Sequence, residues 1–502
     1  MALVLPRRRA LALAGSAAAA ATSSPVLTAT AAATVASSAE GAGASLATPA
    51  AAGNQVHVNA SKPLTQILPA AIYGVGTGRR QNNYAVFTHK PFTDTIKPLK
   101  FTYFRVNLDS FNKNPDNPPC MTSFFPTNTT GAENLRQLDN LIAGMKAWLP
   151  PGTPICMQVG RPAWFSTDGT AFTIPKDTTS ARQLQRQYHL IADYMAQHGA
   201  PAVHWQCVGE LGLKPDGSPG LSPSDQARLS AIMQRGIKQA SGSFLAGGPG
   251  EAWWTFSGND LTGGYTDGFT PEFVTADDYY AGKHMDRESL QDYLNKMSSD
   301  LNSASSGARY VRQKMTEAGL AGSVPIISIE YNSDTAGGPA NATQWDALYC
   351  AEHCHAMISS DANVAAGAIW ELGPGDGDFG LVPEGSETRL IPTAYMLGYL
   401  GQHMGGTMIE AARGDAIPST VHMLHSRAGG SGSRVATQYI NLDTSKSVDL
   451  SIRPVGWAAS PVTKWEQSPA DPNGRITKVA QESLSSTTIP AGSVVVITGV
   501  VA

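Results

Sequence analysis

An α/β fold, a (β/α)8 TIM barrel with an accessory β-sandwich domain behind it, is predicted by three features of the sequence. Eight short apolar runs alternate with longer stretches of helical periodicity between residues 71 and 403. Beyond residue 404 the pattern shifts to short strands separated by clusters of Gly, Ser, Asp and Pro. The 502-residue chain, 42% hydrophobic and 15% charged, has ample apolar content for one large core and a smaller one.

Residues 1–52 differ in kind from the rest. Arg7, Arg8 and Arg9 precede a stretch without charge up to Ala39, rich in Ala, Ser and Thr, with small-residue sites such as Ala29-Thr30-Ala31. A basic start, a weakly apolar middle and small residues at a cleavage site describe an export signal. The paired arginines followed by Ala-Leu-Ala-Leu resemble a twin-arginine signal, so export by that or the general route, to the periplasm or beyond, is expected. A transmembrane anchor is the alternative, but the stretch lacks the Leu, Ile, Val and Phe content of a stable span. Its loss removes three arginines and no acid, leaving the remainder more acidic than the whole chain's formal charge of −4. With no basic stripe left, nucleic acid and anionic membrane surfaces are poor partners, and a neutral polymer or small ligand fits better.

Residues 53–70 are expected to add a strand to the accessory domain. The barrel then occupies 71–403, its strands at 71–75, 101–107, 155–159, 202–210, 244–248, 273–280, 325–331 and 364–370. Helical spacing covers 133–148, 180–198, 222–240, 288–319, 341–360 and 392–403. The second of these carries Leu184, Tyr188, Ile191 and Met195 on one face and ends at His198-Gly199. Near-continuous apolar strands alternating with helices mean a parallel sheet covered on both faces, and eight such units match a closed barrel. Gly74, Gly76 and Gly78 form a lone glycine run without the acid that a dinucleotide site needs, so an open doubly wound sheet is disfavoured. Residues 404–502 read as the β-sandwich, with strands at 420–424, 435–440, 448–452 and 493–499.

Five cysteines scattered over a chain this long are not a disulfide scaffold. The segment 350–355, with Cys350, Glu352, His353, Cys354 and His355, has a metal-like composition. On a helix, however, Cys350 and Cys354 share a face with His353 beside them, and no second ligand cluster completes a site. Core cysteines on a buried helix face are the better reading, and neither metal nor cofactor is expected.

In a barrel of this kind the site lies where the C-terminal ends of the strands converge. The fourth run ends in Glu210 and the seventh in Glu330; Glu251, Asp277, Asp278 and Glu371 lie near the ends of the fifth, sixth and eighth. A carboxylate that terminates an apolar strand is costly unless it is paired or functional, which singles out Glu210 and Glu330.

Glutamates at the ends of strands four and seven resemble those of the clan A retaining glycoside hydrolases. The run Leu99-Lys-Phe-Thr-Tyr-Phe-Arg105-Val-Asn107 is similar to the second strand of glycoside hydrolase family 39, which includes β-xylosidases, α-L-iduronidases and exopolysaccharide hydrolases. Residues 325–332 resemble that family's nucleophile strand, and 489–498 the last strand of its accessory sandwich. The resemblance spans about residues 70–500 and implies Glu210 as general acid/base and Glu330 as nucleophile. One carboxyl must protonate the leaving group while the other attacks the anomeric carbon, which requires them about 5–5.5 Å apart.

Arg105 would hydrogen-bond Glu330 and keep it ionised, or serve as a barrel salt bridge. Tyr280 or His284 would contact Glu330 or the sugar. Trp370 would floor the sugar ring, and Trp164, Trp253 and Trp254, each just after a strand, would be stacking platforms or packing residues. Two positions depart from the family: Gly209 replaces the Asn that binds the sugar 2-hydroxyl, and Asn107 replaces a His. The expectation is a retaining glycosidase acting outside the cytoplasm on a bacterial exopolysaccharide or a xylan-like oligo- or polysaccharide. Gly209 keeps a second reading open, a catalytically silent carbohydrate-binding barrel. A barrel enzyme of another chemistry would need a phosphate loop, a metal cluster or a Schiff-base lysine, and no lysine ends any of the eight runs.

Overall fold

The computed structural model describes residues 48–77, 86–108, 135–159, 177–207, 223–248, 251–252, 269–278, 287–297, 304–333, 343–373, 380–383, 388–428, 434–458, 462–471, 473–481 and 483–501. Its centre is an all-parallel sheet. The strands are β2 (Gly74–Gly76), β3 (Phe104–Leu108), β4 (Ile155–Val159), β5 (His204–Cys207), β6 (Leu245–Gly247), β7 (Glu251–Ala252), β8 (Val274–Asp278), β9 (Ile326–Tyr331) and β10 (Val364–Ile369). Their order is β6-β5-β4-β3-β2-β10-β9-β8-β7. A parallel bridge from Gly247 to Phe273 joins the two ends, and the Glu272 amide donates to the Ala246 carbonyl at 2.9 Å. With β6 in the fifth run and β7 just beyond it, the sheet is a nearly closed eight-stranded (β/α)8 barrel; β2 and β3 each run one residue past their apolar runs, and the remaining strands lie within theirs.

Side-chain alternation along each strand divides inside from outside. On β3, Phe104 and Val106 join the large core beneath the helices, as do Met157 and Val159 on β4. The barrel lumen is filled at its lower end by Tyr103, Cys156, Phe273, Ile327 and Ala366, with Ile329 and Ala368 further along their strands. Gly74 is the position where this filling leaves no room. A Cβ there would meet the Gly367 carbonyl, and would lie 2.5 Å from Tyr103 Cβ and 2.8 Å from its carbonyl oxygen.

Around the barrel lie α1 (Lys90–Ile96), α2 (Asp139–Trp148), α3 (Thr178–Gln197), α4 (Pro223–Ala240), α5 (Arg287–Met297), α6 (Ala304–Glu317), α7 (Gln344–Ile358) and α8 (Pro392–His403). In α3, Asp177 caps the N-terminus by accepting from the Ser180 amide at 2.8 Å, and Gly199 past the C-terminus adopts φ +75°. Leu184, Tyr188, Ile191 and Met195 are fully buried, as their spacing required. Two places in the helical layer bear on the sequence reading. Of the helical stretch expected over 288–319, α5 and α6 form part, and residues 298–303 between them lie outside the described residues. The helix α1 was not expected, because its seven residues, opened by Pro91, are too short for a period to show.

A second sheet of nine strands takes β1 (Gln55–Leu68), β11 (Gly406–Arg413), β12 (Val421–Arg427), β13 (Arg434–Asn441), β14 (Val448–Val455), β15 (Val462–Gln467), β16 (Thr477–Gln481), β17 (Thr487–Ile489) and β18 (Ser493–Val500). The first strand runs antiparallel to β11 and parallel to β14. This accessory sheet curls round its own core of Val56, Val58, Tyr439, Ile452, Val495 and Ile497. The alternate residues Ala436, Ile440, Val494 and Val496 belong instead to the barrel's outer core. That two-sided burial explains why β18 reads as an unbroken apolar run.

The accessory sheet packs on α7 and α8, so α7 is buried on nearly every side. Cys350 and Cys354 are free thiols in its core, and burial pushes the Cys354 thiol up to about 12. On another side, Glu352 meets His422 of β12 with Oε2 and Nδ1 2.7 Å apart. Burial alone would raise the Glu352 carboxyl, but His355 and His422 beside it outweigh that and hold it at about 2. No helix among the described residues is long and apolar enough to cross a membrane.

The crowding at Gly74 yields a direct test of the barrel lumen. Gly74→Ala should lower unfolding stability by about 1–3 kcal/mol, because backbone must move to admit one methyl group. The urea midpoint measures this; an unchanged midpoint would mean that the lumen is loosely filled.

Candidate active site

Arg105 projects into the lumen from β3, between Phe104 and Val106, which face outward. Its side chain is 1% exposed, and its Nη2 lies 2.8 Å from Glu330 Oε1 on β9. The same Nη2 donates to the side-chain carbonyl of Gln158, which projects inward from β4. The guanidinium also sits over the Trp370 ring at 5.1 Å from its centroid, within cation–π range. Gly76 on β2 lies alongside it, and a Cβ there would stand 3.4 Å from Arg105 Cδ, in ordinary contact.

Glu330 reaches this position through an irregularity in β9. Against β8, the pairing runs Ser328 to Ala276 and then Glu330 to Asp277, skipping a residue of β9. Against β10, Ser328 pairs with Gly367 and Tyr331 with Ile369, three residues facing two steps. Both neighbours thus register a bulge at 329–330. Ile329 packs in the lumen, and the extra residue lets Glu330 turn to the same side and meet Arg105 while Tyr331 remains in the outer core. The Glu330 side chain is 18% exposed, the accessible member of an otherwise buried pair.

Asp277, opposite Glu330 in the register, is 1% exposed. Burial alone would lower the Arg105 pKa; the charges of Glu330 and then Asp277 outweigh it and raise the value. The strand ends around the pair are tied together. Asn332 Nδ2 donates to the Trp370 carbonyl at 2.6 Å, and the Asn107 amide donates to the Thr77 hydroxyl at 2.8 Å. Trp370 precedes a cis peptide to Glu371, which is fully buried.

Of the residues singled out in the sequence, Arg105, Glu330 and Trp370 are brought together, and Asn107 lies two residues beyond Arg105 on the same strand. Glu210, Gly209, Trp164, Trp253, Trp254, Tyr280 and His284 lie outside the described residues. Gln158 was missed. Its signal was faint but present: a polar residue between Met157 and Val159 in an apolar strand is as costly unsatisfied as a strand-end acid.

Chemically, the arrangement offers a partly accessible carboxylate, fixed by a buried cation, beside an aromatic face at the mouth of a barrel. No protein-family model matches this chain, and no curated protein sequence does. Solved structures share its fold. A glycoside hydrolase family 30 subfamily 8 xylanase, Xyn30A, from Clostridium acetobutylicum superposes with a TM-score of 0.54 at 14% identity, covering 89% of this chain and 100% of that one. A GH39 β-xylosidase from Caulobacter crescentus gives a TM-score of 0.59 at 15% identity over 88% of this chain and 99% of that one. AbfB, a family 51 α-L-arabinofuranosidase from Bifidobacterium longum, gives 0.60 at 12% identity over 90% and 99%. At these identities the likeness establishes the fold, barrel and accessory β domain together.

Arg105 is the buried charge around which the site is arranged. Arg105→Met should lower stability by about 3–5 kcal/mol, because Asp277 and Glu330 lose their common cation. Urea unfolding checks this, and a midpoint within error of the wild type would contradict it.

Proposed function

We propose that the chain is a glycoside hydrolase of the retaining type, exported and acting on an oligo- or polysaccharide outside the cytoplasm. The observation that carries this reading is the Arg105–Glu330 pair at 2.8 Å, set beside Trp370 at the C-terminal end of the barrel. The fold supports it, being shared with a xylanase, a β-xylosidase and an arabinofuranosidase. Export rests on the basic and Ala-rich character of residues 1–39.

In this reading Glu330 is the nucleophile. A carboxylate oxygen attacks the anomeric carbon as the glycosidic C–O bond breaks, and Glu210 gives its proton to the departing oxygen. Water then attacks the glycosyl ester, with Glu210 taking its proton back and Glu330 leaving as carboxylate. Arg105 holds one Glu330 oxygen, so the side chain meets the sugar in one orientation, and Gln158 anchors the guanidinium in turn. Trp370 lies with one face against Arg105 and is partly exposed, so its other face would be an apolar floor for a sugar ring. With Gly209 where the resembling family has Asn, the 2-hydroxyl must be held by another group or belong to a different sugar. A bacterial exopolysaccharide is favoured over plant xylan on that ground.

Sugar release from a panel of bacterial exopolysaccharides, xylans and aryl β-glycosides tests the proposal. Wild type should release sugar with retained anomeric configuration, read by NMR, and Glu330→Gln should lower the rate by several orders of magnitude. Equal rates in the two proteins would refute the assignment of Glu330. Binding of a polymer without release by either would favour a silent carbohydrate-binding barrel.

A further inference from the structure

Away from the barrel mouth, three side chains converge where the barrel and the accessory sheet meet. Glu352 and His355 stand one helical turn apart on α7, and His422 faces them from β12. Glu352 Oε2 lies 2.7 Å from His422 Nδ1 and 3.7 Å from His355 Nδ1. The three donor atoms all fall within 4.8 Å of one another. The imidazole rings stack with centroids 4.9 Å apart and planes 28° apart, presenting both Nδ1 atoms to one carboxylate oxygen.

The hydrogen bonding of this cluster is incomplete. A single proton on His422 satisfies its contact with Glu352, but His355 Nδ1 is buried with no hydrogen-bond partner among the described residues. At 3.7 Å it is too far from Glu352 to form one. A buried imidazole nitrogen that faces a carboxylate at ion-pair distance but beyond hydrogen-bond reach is the donor geometry that a cation between them would satisfy.

We propose that Glu352, His355 and His422 form a binding site for a divalent transition-metal ion of the zinc class, clamping the accessory domain to the barrel. Bonds of about 2.0–2.1 Å in a tetrahedral arrangement set donor atoms about 3.4 Å apart. The 3.7 Å pair needs to close slightly and the 2.7 Å pair to open, the latter because the metal replaces the proton that His422 shares with Glu352. Two neutral imidazoles and one carboxylate are a donor set that zinc takes, and hard cations such as Mg2+ disfavour it. His355 and His422 keep 13% and 26% of their side chains exposed, which gives the ion an entry path and room for water as a further ligand. Arg413 is the cation that faces His422, and its guanidinium is engaged by the carbonyls of Ile417, Pro418 and Val421. The site draws one ligand pair from the barrel and one ligand from the accessory sheet, so its occupancy would stiffen the interface without contacting Arg105 or Glu330.

The test is zinc titration of the chelator-treated, untagged full chain by calorimetry, with Co2+ substitution read by visible absorption. Wild type should bind one equivalent of zinc, melt at a higher temperature when loaded, and give the intense visible bands of a low-coordinate Co2+ site. Loss of groups that merely orient ligands costs 10–100-fold in affinity, so His422→Gln should weaken binding at least about a hundredfold. His355→Ala, at a partly exposed position, should do the same with its unfolding cooperativity intact. No binding by folded wild type, or wild-type stoichiometry and affinity in both variants, would overturn the site.

Discussion

A guanidinium buried in the lumen of a barrel is an unusual load for a fold, and much of this structure is arranged around it. Arg105 keeps its charge away from water because Glu330 and Asp277 supply compensating charge and Gln158 accepts a further hydrogen bond. That requirement reaches into the backbone. The strand β9 bulges so that Glu330 meets the guanidinium after Ile329 has already filled the lumen below. Removing either partner would leave a charge with nowhere to go, which is why such pairs are costly to break even where they add little net stability.

The same pair links the fold to its chemistry. Arg105 is the closed end of the interaction and Glu330 the open one, so the structure spends its buried cation on fixing a carboxylate that solvent, or a substrate, can still approach. Preorganisation of this kind needs a rigid frame. The nearly closed hydrogen-bonded ring of strands supplies it, and the accessory sheet braces the ring from outside. Val494 and Val496 of β18 pack into the barrel's outer core while Val495 and Ile497 fill the sheet's own core. The Glu352–His355–His422 cluster lies along this bracing surface, where an ion would add a third contact between the two parts.

Legibility in the sequence followed the range of the interactions. The eight strands and the long helices were readable because apolar periodicity is local; Leu184, Tyr188, Ile191 and Met195 lie buried where their spacing put them. Glu330 was readable because an acid at the end of Ile-Ile-Ser-Ile is an energetic anomaly within six residues. The β9 bulge was not, since it is defined by pairing with β8 and β10 and leaves no mark in the local pattern. Gln158 was invisible as a partner because Arg105 lies on a different strand, 53 residues away in sequence. The segment 350–355 shows the limit most clearly. Its own residues argued for a core helix face, and Cys350 and Cys354 do lie in the core. Glu352 and His355 acquire their significance from His422, 70 residues beyond Glu352 and in the other domain, a juxtaposition that no local reading supplies.

The central claim is that Glu330 attacks the sugar, and a covalent trap addresses it most directly. The folded wild-type chain would be incubated with a series of activated 2-deoxy-2-fluoro glycosides, then analysed by intact mass and peptide mapping. Fluorine at C2 slows both steps of a retaining reaction by destabilising the oxocarbenium-like transition state, so the glycosyl ester accumulates. The account predicts a single sugar adduct on the peptide that carries Glu330, absent from Glu330→Gln. An adduct on a different carboxylate, with Glu330 unmodified, would contradict it.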